Sequence, residues 1–292
     1  MSSLTTPAGS GTAEEDRAER IARLRESAYR IRRHALDMGE VQGQGYVGQA
    51  LGVADILAVL YKDQLRFRPD DPHWPDRDRL LLSIGHYAIA LYAGLAEAGV
   101  LEVSELSTYG SDGSRLPMSG MASYTPGMEI SGGSLGHGLG VATGMALGLR
   151  YQENQARVYN LLSDGELDEG STWEAALACA HHDLDNVTAI VDVNALQADG
   201  PTPGVLQVEP ITDKWRAFGW HAVRVDGNDI EALVTAFDGL REHRGSPSVL
   251  ICDTRVGCGV PLLENREKAH FMRVERYEWQ VARDQLEEGR SR

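Results

Sequence analysis

The stretch RVYNLLSDGELDEGSTWEAALACAHHDLDNVTAIVDVNALQADG, residues 157–200, contains the pattern that decides the fold. Arg157 to Leu162 is predicted to form a strand, and Val187 to Val193 is an apolar, β-branched run typical of a strand buried on both faces. Between them, a Ser-x-x-Glu capping box at Ser171 predicts a helix that runs to about Asp183. Strand, crossover helix and strand together predict one βαβ unit with parallel strands.

Polar side chains follow both strands, at the edge where ligands of parallel sheets bind. Asp164 comes directly after the first strand and Asn194 after the second, so both are expected to face one crevice. Their oxygens, with a backbone carbonyl such as that of Leu196, are ligands that Mg²⁺ takes in proteins, and Gly165 would let a phosphate approach. The alternative is an ordinary Asp-Gly turn, with Asn194 as a strand cap.

Helices and strands alternate along the rest of the chain as well. Hydrophobic spacing predicts helices over Arg17–Gly39, Ala54–Tyr61, Ala88–Ala98, Val141–Arg150 and Ile230–Glu242, and strands over Leu80–Ser83, Ala222–Val225 and Ser248–Cys252. The alternation predicts an α/β fold with a mostly parallel sheet flanked by helices. Residues 1–16 are predicted to form a disordered tail, and residues 17–292 a single domain with a C-terminal extension from about residue 271.

Composition excludes several classes of protein. The 28 Lys and Arg against 43 Asp and Glu give a formal net charge of −15, which argues against nucleic acid or an anionic membrane as a partner. With 42% hydrophobic residues, a chain of 292 residues can build a full core. The sequence has neither a signal peptide nor the run of roughly 20 apolar residues that spans a membrane. Three sparse cysteines indicate a reducing compartment, which predicts a cytoplasmic location.

Three segments of residues 157–200 carry a resemblance to a known family. Ser163 to Gly170, with Trp173 to Ala176 and Val191 to Gly200, resembles the thiamine-diphosphate motif of the transketolase family. Further matches to the family are Ala54–Leu57, Asp76–Arg79, Ser83–His86, Thr125–Gly127, Ser134–Gly136 and Lys214–Trp220. The resemblance covers roughly residues 30 to 280 and implies the thiamine-diphosphate-binding fold.

The resemblance implies thiamine diphosphate and Mg²⁺ as cofactors. Mg²⁺ would be bound by Asp164, Asn194 and the carbonyl of Leu196. The positions that match cofactor contacts of the family are His86, Gly133, Leu135, Gly165, Glu166, Asn194 and Val256.

Three residues of the chain match catalytic positions of the family. His86 and His270 match histidines that point at the cofactor and the reacting carbon, and Glu169 matches a buried acid that connects paired active sites. The alternative for His86 is a histidine at a helix start whose ring is satisfied by the backbone. The resemblance implies covalent catalysis by the cofactor and transfer of a two-carbon ketol unit from a ketose phosphate to an aldose phosphate.

The chain departs from the family at two substrate positions. Tyr46 and Ser119 stand where the family has histidines that contact the donor sugar. Tyrosine and serine form hydrogen bonds but do not titrate near neutral pH. We therefore expect an unusual ketose phosphate, such as a branched sugar of the apulose type.

The resemblance covers only the N-terminal half of the family's full-length enzymes. It implies one subunit of a split enzyme, whose partner of the transketolase C-terminal type carries the activating glutamate, and two such pairs would form a heterotetramer. Two alternatives stay open. The chain could belong to another thiamine-diphosphate enzyme, of the 2-oxo acid dehydrogenase or deoxyxylulose-phosphate synthase type, or it could be a non-catalytic regulatory subunit.

Overall fold

The computed structural model describes residues 13–264, 266 and 269–290. The strands are β1 Gln44–Gly45, β2 Arg79–Leu82, β3 Val158–Ser163, β4 Val187–Val193, β5 Leu196–Gln197, β6 Gly200–Pro201, β7 His221–Asp226, β8 Ser248–Asp253 and β9 Met272–Arg273. The helices are α1 Ala13–Gln42, α2 Val47–Gly52, α3 Ala54–Val59, α4 Ala88–Glu97, α5 Gly138–Tyr151, α6 Gly170–His181, α7 Thr202–Val205, α8 Ile211–Ala217, α9 Ile230–Glu242, α10 Pro261–Glu264 and α11 Glu278–Arg290.

The central sheet has five strands in the order β2-β3-β4-β8-β7, and all four pairings are parallel. Helix α6 is the crossover between the neighbouring strands β3 and β4, as the sequence predicts. The register sets Ser163 opposite Asp192, so both strands end at the same level. The predicted α/β fold with a parallel sheet is confirmed.

Alternate residues of each central strand enter different cores, because successive side chains of a strand point to opposite faces. Leu161 and Ile190 pack with α1, α3, α4 and α9 on one face of the sheet. Leu162 and Val191 pack with α5, α6 and α8 on the other. Helices on both faces therefore bury the central strands β3 and β4, whereas the edge strand β7 is partly exposed.

The helix starts differ from the sequence predictions in three places. Helix α5 begins at Gly138 instead of Val141. Helix α6 begins at Gly170 with Glu169 as the N-cap, which forms no side-chain cap hydrogen bond, so the capping box predicted at Ser171 is wrong. Helix α1 already begins at Ala13, which places residues 13–16 of the predicted tail in a helix. The remainder of that predicted tail lies outside the described residues.

The N-terminal helical region is more broken than hydrophobic spacing predicts. The predicted helix Ala54–Tyr61 ends at Val59 and continues as a π-helical turn over Leu60–Gln64. It is preceded by the short helix α2, for which hydrophobic spacing gave no prediction. Hydrophobic spacing also gave no sign of α8 and α11.

The segment after residue 271 packs onto the N-terminal helices. Gln44 and Gly45 of β1 pair with β9 in an antiparallel bridge. Trp279 of α11 is buried against α1, where a Cβ on Gly39 would lie 2.8 Å from the indole ring. The three cysteines are all free thiols. Within residues 13–264, 266 and 269–290, no helix has the length and apolar character needed to cross a bilayer.

Candidate active site

A cavity of about 130 Å³ opens at the carboxyl ends of the central strands. Parallel sheets bind ligands at this edge, because all their strands end there. Six of the predicted site residues line it: His86, Leu135, Asp164, Gly165, Leu196 and His270. The rest of the lining is Tyr87, Ser163 and the segment Gln197–Asp199.

Asp164 is a buried carboxylate held by donors from three segments. Its Oδ1 accepts from the Gly165 backbone N–H at 2.9 Å, and its Oδ2 accepts from Ala195 N–H at 3.1 Å and from the Thr202 hydroxyl at 2.7 Å. Burial raises the pKa of Asp164 to about 6, although the Thr202 hydrogen bond lowers it. A nearby cation would offset this cost of burial, because it favours the ionised form.

Asn194 is oriented by a buried polar network. Its Nδ2 donates to Asp192 Oδ2 at 2.6 Å and to the Tyr87 hydroxyl at 2.8 Å, and its Oδ1 accepts from Leu196 N–H at 3.0 Å. Tyr87 also donates to Asp192 Oδ2 at 2.8 Å. Ala195 turns the chain with a φ of 60°. The amide oxygen is thereby held beside the turn that presents the Leu196 carbonyl.

These supporting residues were missed from the sequence. Asp192, Tyr87, Thr202 and Thr254 all contribute hydrogen bonds beneath the site, and Thr254 donates to Asp192 Oδ1. Burial raises the pKa of Asp192, and its hydrogen bonds oppose that shift. A signal for Asp192 was available, because it is the first residue of the Asp-x-Asn motif, whereas Thr202 and Thr254 are positioned only by tertiary contacts.

The donor set fits Mg²⁺ with a diphosphate. Asp164, Asn194 and the Leu196 carbonyl offer hard oxygens, and Mg²⁺ usually takes only a few of these from protein and completes its octahedron with water and phosphate. Among the described residues, no group of three or more His, Cys, Asp and Glu side chains is placed to hold a metal. Oxygens of a bound diphosphate would therefore have to complete the shell.

Glycine makes close loop contacts possible beside the cavity. A Cβ on Gly85 would lie 2.2 Å from the carbonyl carbon of Gly132, so the two loops touch through their backbones. Gly133 has a φ of 148°, a conformation that side-chain-bearing residues rarely adopt. Leu135 follows and lines the cavity. The glycine-dense segment predicted to approach the cofactor thus lies against the His86 loop.

Glu166 supports the site from beneath. Its Oε1 accepts from the Gly136 N–H at 2.8 Å and from the Ser83 hydroxyl, which in turn accepts from Gly138 N–H at 3.0 Å. Its Oε2 has no hydrogen-bond partner among the described residues, and burial raises the pKa of its carboxyl. Glu166 is thus outside the cavity lining and joins three loops that form it, and its predicted contact with the cofactor stays a prediction.

Three rings from distant segments meet at one side of the cavity. The Tyr46 ring centroid lies 4.5 Å from that of His86 and 5.4 Å from that of His270, and the two histidine rings are 5.6 Å apart. Burial lowers the pKa of His86 to about 4, with a further lowering by His270. Burial also lowers the pKa of His270. The structure therefore brings together the predicted histidines and the predicted substrate residue Tyr46, with both imidazoles neutral near pH 7.

Four other predicted residues lie near the cavity but outside its lining. Asn194 lies behind the Leu196 turn. Gly133 lies beside Ser119, whose Oγ would be 4.0 Å from a Cβ built on Gly133. Ser119 is exposed. Val256 is half-buried and packs on Gly48, where an added Cβ would come within 2.5 Å of it. Their contacts with cofactor or substrate stay predictions.

Glu169 lies apart from the cavity at the start of α6. The sequence predicts a buried acid, but the described chain leaves Glu169 exposed. A Cβ on Gly136 would lie 2.7 Å from Glu169 Cβ, so the residue adjoins the glycine loop. The burial predicted for Glu169 connects paired active sites and requires a second chain on this face, so it stays a prediction.

Comparison with known proteins identifies the family. Residues 24–288 match the family model described as transketolase, thiamine diphosphate binding domain. A transketolase family protein of Sinorhizobium fredii is 64% identical over 260 residues, which are 89% of this chain and 93% of that protein. The 6-deoxy-6-sulfo-D-fructose transketolase subunit of a Clostridium species is 37% identical over 90% of this chain and 96% of the relative.

Other relatives differ in length. An apulose-4-phosphate transketolase subunit of Actinobacillus succinogenes is 38% identical over 84% of this chain and 88% of its own length. The solved transketolase of Campylobacter jejuni superposes with a TM-score of 0.84 at 30% identity, over 90% of this chain. This chain spans only 42% of that structure's chain.

The family match and the relatives confirm the predicted family, the fold, and thiamine diphosphate with Mg²⁺ as the cofactors. Two relatives of similar length are named as subunits, and this chain spans less than half of a full-length transketolase. This chain belongs to the transketolase family, and residues 24–288 match the family's thiamine-diphosphate-binding domain.

Proposed function

We propose that this chain is the N-terminal subunit of a two-chain transketolase that transfers a two-carbon ketol unit from a ketose phosphate to an aldose phosphate. The observation that carries the proposal is the cavity at the carboxyl edge of the sheet, which Asp164, Leu196 and two histidines line together. A regulatory subunit would need the metal loop at most, whereas this chain also places His86 and His270 on the same cavity.

The part of the site formed by Asp164, Asn194 and Leu196, here called the metal half, would hold the cofactor's diphosphate. Asp164, Asn194 Oδ1 and the Leu196 carbonyl would bind Mg²⁺, and Gly165 leaves room for phosphate oxygens beside them. Thiamine diphosphate, when bound, supplies the carbon that carries the two-carbon unit. In this half the chain fixes the position of the negatively charged Asp164 carboxylate, because three donors hold it in one orientation.

The other half of the cavity, formed by His86, His270 and Tyr46 and here called the histidine half, would transfer protons and form hydrogen bonds with the sugar oxygens. Because burial keeps both imidazoles neutral, each ring can donate with one nitrogen and accept with the other. Tyr46 packs at an edge-on angle of 86° to His270, and its hydroxyl is available to the sugar. Ser119, beside Gly133, would be the second substrate contact.

The proposed partner is a chain of the transketolase C-terminal type that carries the activating glutamate, and the assembly is a heterotetramer. Support comes from an exposed face of α5 and α6 next to Glu169. Leu177 is 56% exposed and Val141 40% exposed on that face, so two large apolar side chains are there for a second chain to cover. A Cβ on Gly144 would meet nothing within 4 Å, so a second chain could approach α5 closely.

The assembly is tested by the mass of the complex. Leu177→Arg is expected to convert a heterotetramer into a heterodimer, measured by native mass spectrometry, while Leu262→Arg, at a half-buried position outside this face, leaves the mass unchanged. An unaltered mass for Leu177→Arg would exclude this face as the contact.

The proposed substrates are modified or branched ketose phosphates. The relatives named above act, by their names, on 6-deoxy-6-sulfo-D-fructose and apulose 4-phosphate. A tyrosine in place of a histidine at position 46 supports a donor sugar whose oxygens differ from those of the common ketoses. We also propose a cytoplasmic location, because three free thiols suit a reducing compartment.

The test is two-carbon transfer by the complex that co-purifies with this chain. The complex, with thiamine diphosphate and Mg²⁺, would be offered branched, sulfonated and unmodified ketoses in turn with an aldose phosphate, and products identified by mass. Transfer from a branched or modified donor in preference to the unmodified ketoses is expected. Cofactor binding without transfer from any donor would leave only the regulatory role.

A further inference from the structure

A buried glutamine outside the cavity lining holds the His270 ring. Gln49, only 1% exposed, projects from α2, and its Nε2 donates to the backbone carbonyl of His270 at 2.8 Å. The same Nε2 lies 3.2 Å from His270 Nδ1. One amide group therefore contacts both the backbone and the ring of a residue 221 positions away in sequence.

The orientation of the Gln49 amide follows from its partners. A backbone carbonyl only accepts hydrogen bonds, so the atom of Gln49 that faces it must be the nitrogen. Gln49 Oε1 is buried and has no hydrogen-bond partner in the part of the chain that the structure describes, so no competing contact pulls the amide the other way. The two N–H groups of the amide point at His270 O and His270 Nδ1.

This orientation fixes the tautomer of the neutral ring. An amide nitrogen is only a donor, so Nδ1 of His270 must accept, and the ring proton must reside on Nε2. His270 lines the cavity, so the ring brings an N–H donor to it.

The fold brings Gln49 to this place through its neighbour Gly48. A Cβ on Gly48 would lie 2.5 Å from Met272 Cε and 3.3 Å from the Ala269 carbonyl oxygen. Pairing of Gly45 with Met272 fixes the two segments on the other side. The segment that carries Gln49 is therefore held closely against the segment that carries His270. This fixed placement allows Gln49 to orient the His270 ring.

We propose that Gln49 is a positioning residue that holds His270 as the neutral Nε2–H tautomer, so that His270 enters the reaction as a hydrogen-bond donor. The inference rests on the proposed function for its consequence in catalysis. His270 then stabilises an oxygen of the sugar or cofactor, and the first proton acceptor is a different group, for which His86 is the nearest histidine.

The tautomer is measured directly on the wild-type full chain by ¹⁵N NMR of histidine-labelled protein, with His270→Gln used to assign the signal. The expected spectrum shows a protonated Nε2 and an unprotonated Nδ1 for His270. A proton on Nδ1 overturns the proposal. This measurement needs neither cofactor nor partner, so it stands even if the proposed transfer activity fails.

Variants then connect the tautomer to catalysis. Gln49→Leu removes both N–H donors, and Gln49→Glu replaces them with acceptors, so the second is expected to move the ring proton to Nδ1. In the co-purified complex, Gln49→Leu is expected to lower kcat roughly tenfold to a hundredfold with little change in KM. Gln64→Leu is the matched control, because Gln64 is 3% exposed and lies outside the cavity.

A double variant separates positioning from general structure. If Gln49 acts through His270, Gln49→Leu lowers kcat in the wild-type background but adds no further loss in the His270→Gln background. Additive losses in kcat, or a Gln49→Leu variant that keeps the wild-type tautomer and kcat, contradict the proposal. If Gln49→Leu does not fold, the wild-type spectrum and Gln49→Glu decide the question.

Discussion

The two halves of the cavity are assembled in different ways. The metal half, Asp164 with Asn194 and Leu196, comes from one βαβ unit and is held by buried hydrogen bonds. The histidine half joins Tyr46 and His86 to His270, a residue from the other end of the chain, mainly through ring contacts. The first half fixes a charge with hydrogen bonds, whereas the second is a cluster of rings from segments far apart in sequence.

The largest expected effect breaks the metal half. Asp164→Ala removes a proposed Mg²⁺ ligand and leaves the N–H of Ala195 and the hydroxyl of Thr202 without their acceptor. We expect Mg²⁺-dependent binding of thiamine diphosphate to weaken about a thousandfold, or ~4 kcal/mol, measured by calorimetry on the co-purified complex. Asp78→Asn is the control, since Asp78 is also buried but outside the cavity. Equal binding by Asp164→Ala would refute the metal assignment.

The histidine half is predicted to destabilise the fold in acid. The pKa of His86 is about 4 in the native chain against an ordinary 6.5, so the unfolded chain binds more protons between these values. Stability is complete above pH 6.5 and falls towards pH 4, by up to about 3 kcal/mol from this residue.

Denaturant unfolding at pH 7 and pH 4.5 measures this dependence. His86→Gln is expected to lose less stability than wild type between the two pH values, and His73→Gln, at an exposed position, to behave like wild type. The same loss in His86→Gln as in wild type would show that the ring is not a buried neutral group.

A close contact between two glycines holds the loop that carries His86 against the glycine-rich loop at Gly132. Gly85→Ala places a Cβ 2.2 Å from the backbone of Gly132, so one loop must move. We expect a loss of about 2 kcal/mol in the free energy of unfolding. Gly239→Ala in α9, where nothing lies within 4 Å, is instead expected to gain about 1 kcal/mol through helix propensity. Equal changes in the two variants would contradict the close loop contact.

The smallest effect concerns the sugar alone. Tyr46→Phe keeps the ring contacts with His86 and His270 and removes only the hydroxyl. Its unfolding free energy should stay within about 0.5 kcal/mol of wild type, while kcat/KM for the donor falls roughly fivefold, the value of one hydrogen bond. An unchanged kcat/KM in the transfer assay would remove Tyr46 from the substrate contacts.

Local sequence predicted the metal half well for a physical reason. The limits of β4 and α9 agree with the predicted ones to the residue, because each is a clear hydrophobic period with a definite end. The capping box at Ser171 failed because the preceding turn of Asp164–Asp168 carries the chain into α6 before that residue. Motif spacing was sufficient to place Asp164 and Asn194 together, since both follow adjacent strands.

The other features of the site could not be predicted from the sequence, because they depend on contacts between segments that are far apart in the chain. Gln49 and His270 meet only because Gly48 allows α2 to touch the segment before β9. Glu166 matches the motif but lies beneath the loops, because Ser83 and the Gly136 N–H supply its partners. The exposed state of Glu169 likewise depends on what covers α5 and α6.

The central claim is that the metal half binds Mg²⁺ and a diphosphate together. It is tested most directly by a crystal structure of the co-purified complex with thiamine diphosphate and Mn²⁺, in which anomalous scattering locates the ion. We predict one peak within about 2.5 Å of Asp164, Asn194 Oδ1, the Leu196 carbonyl and the diphosphate oxygens. A bound cofactor with no ion at these oxygens, or an ion elsewhere, would contradict the account.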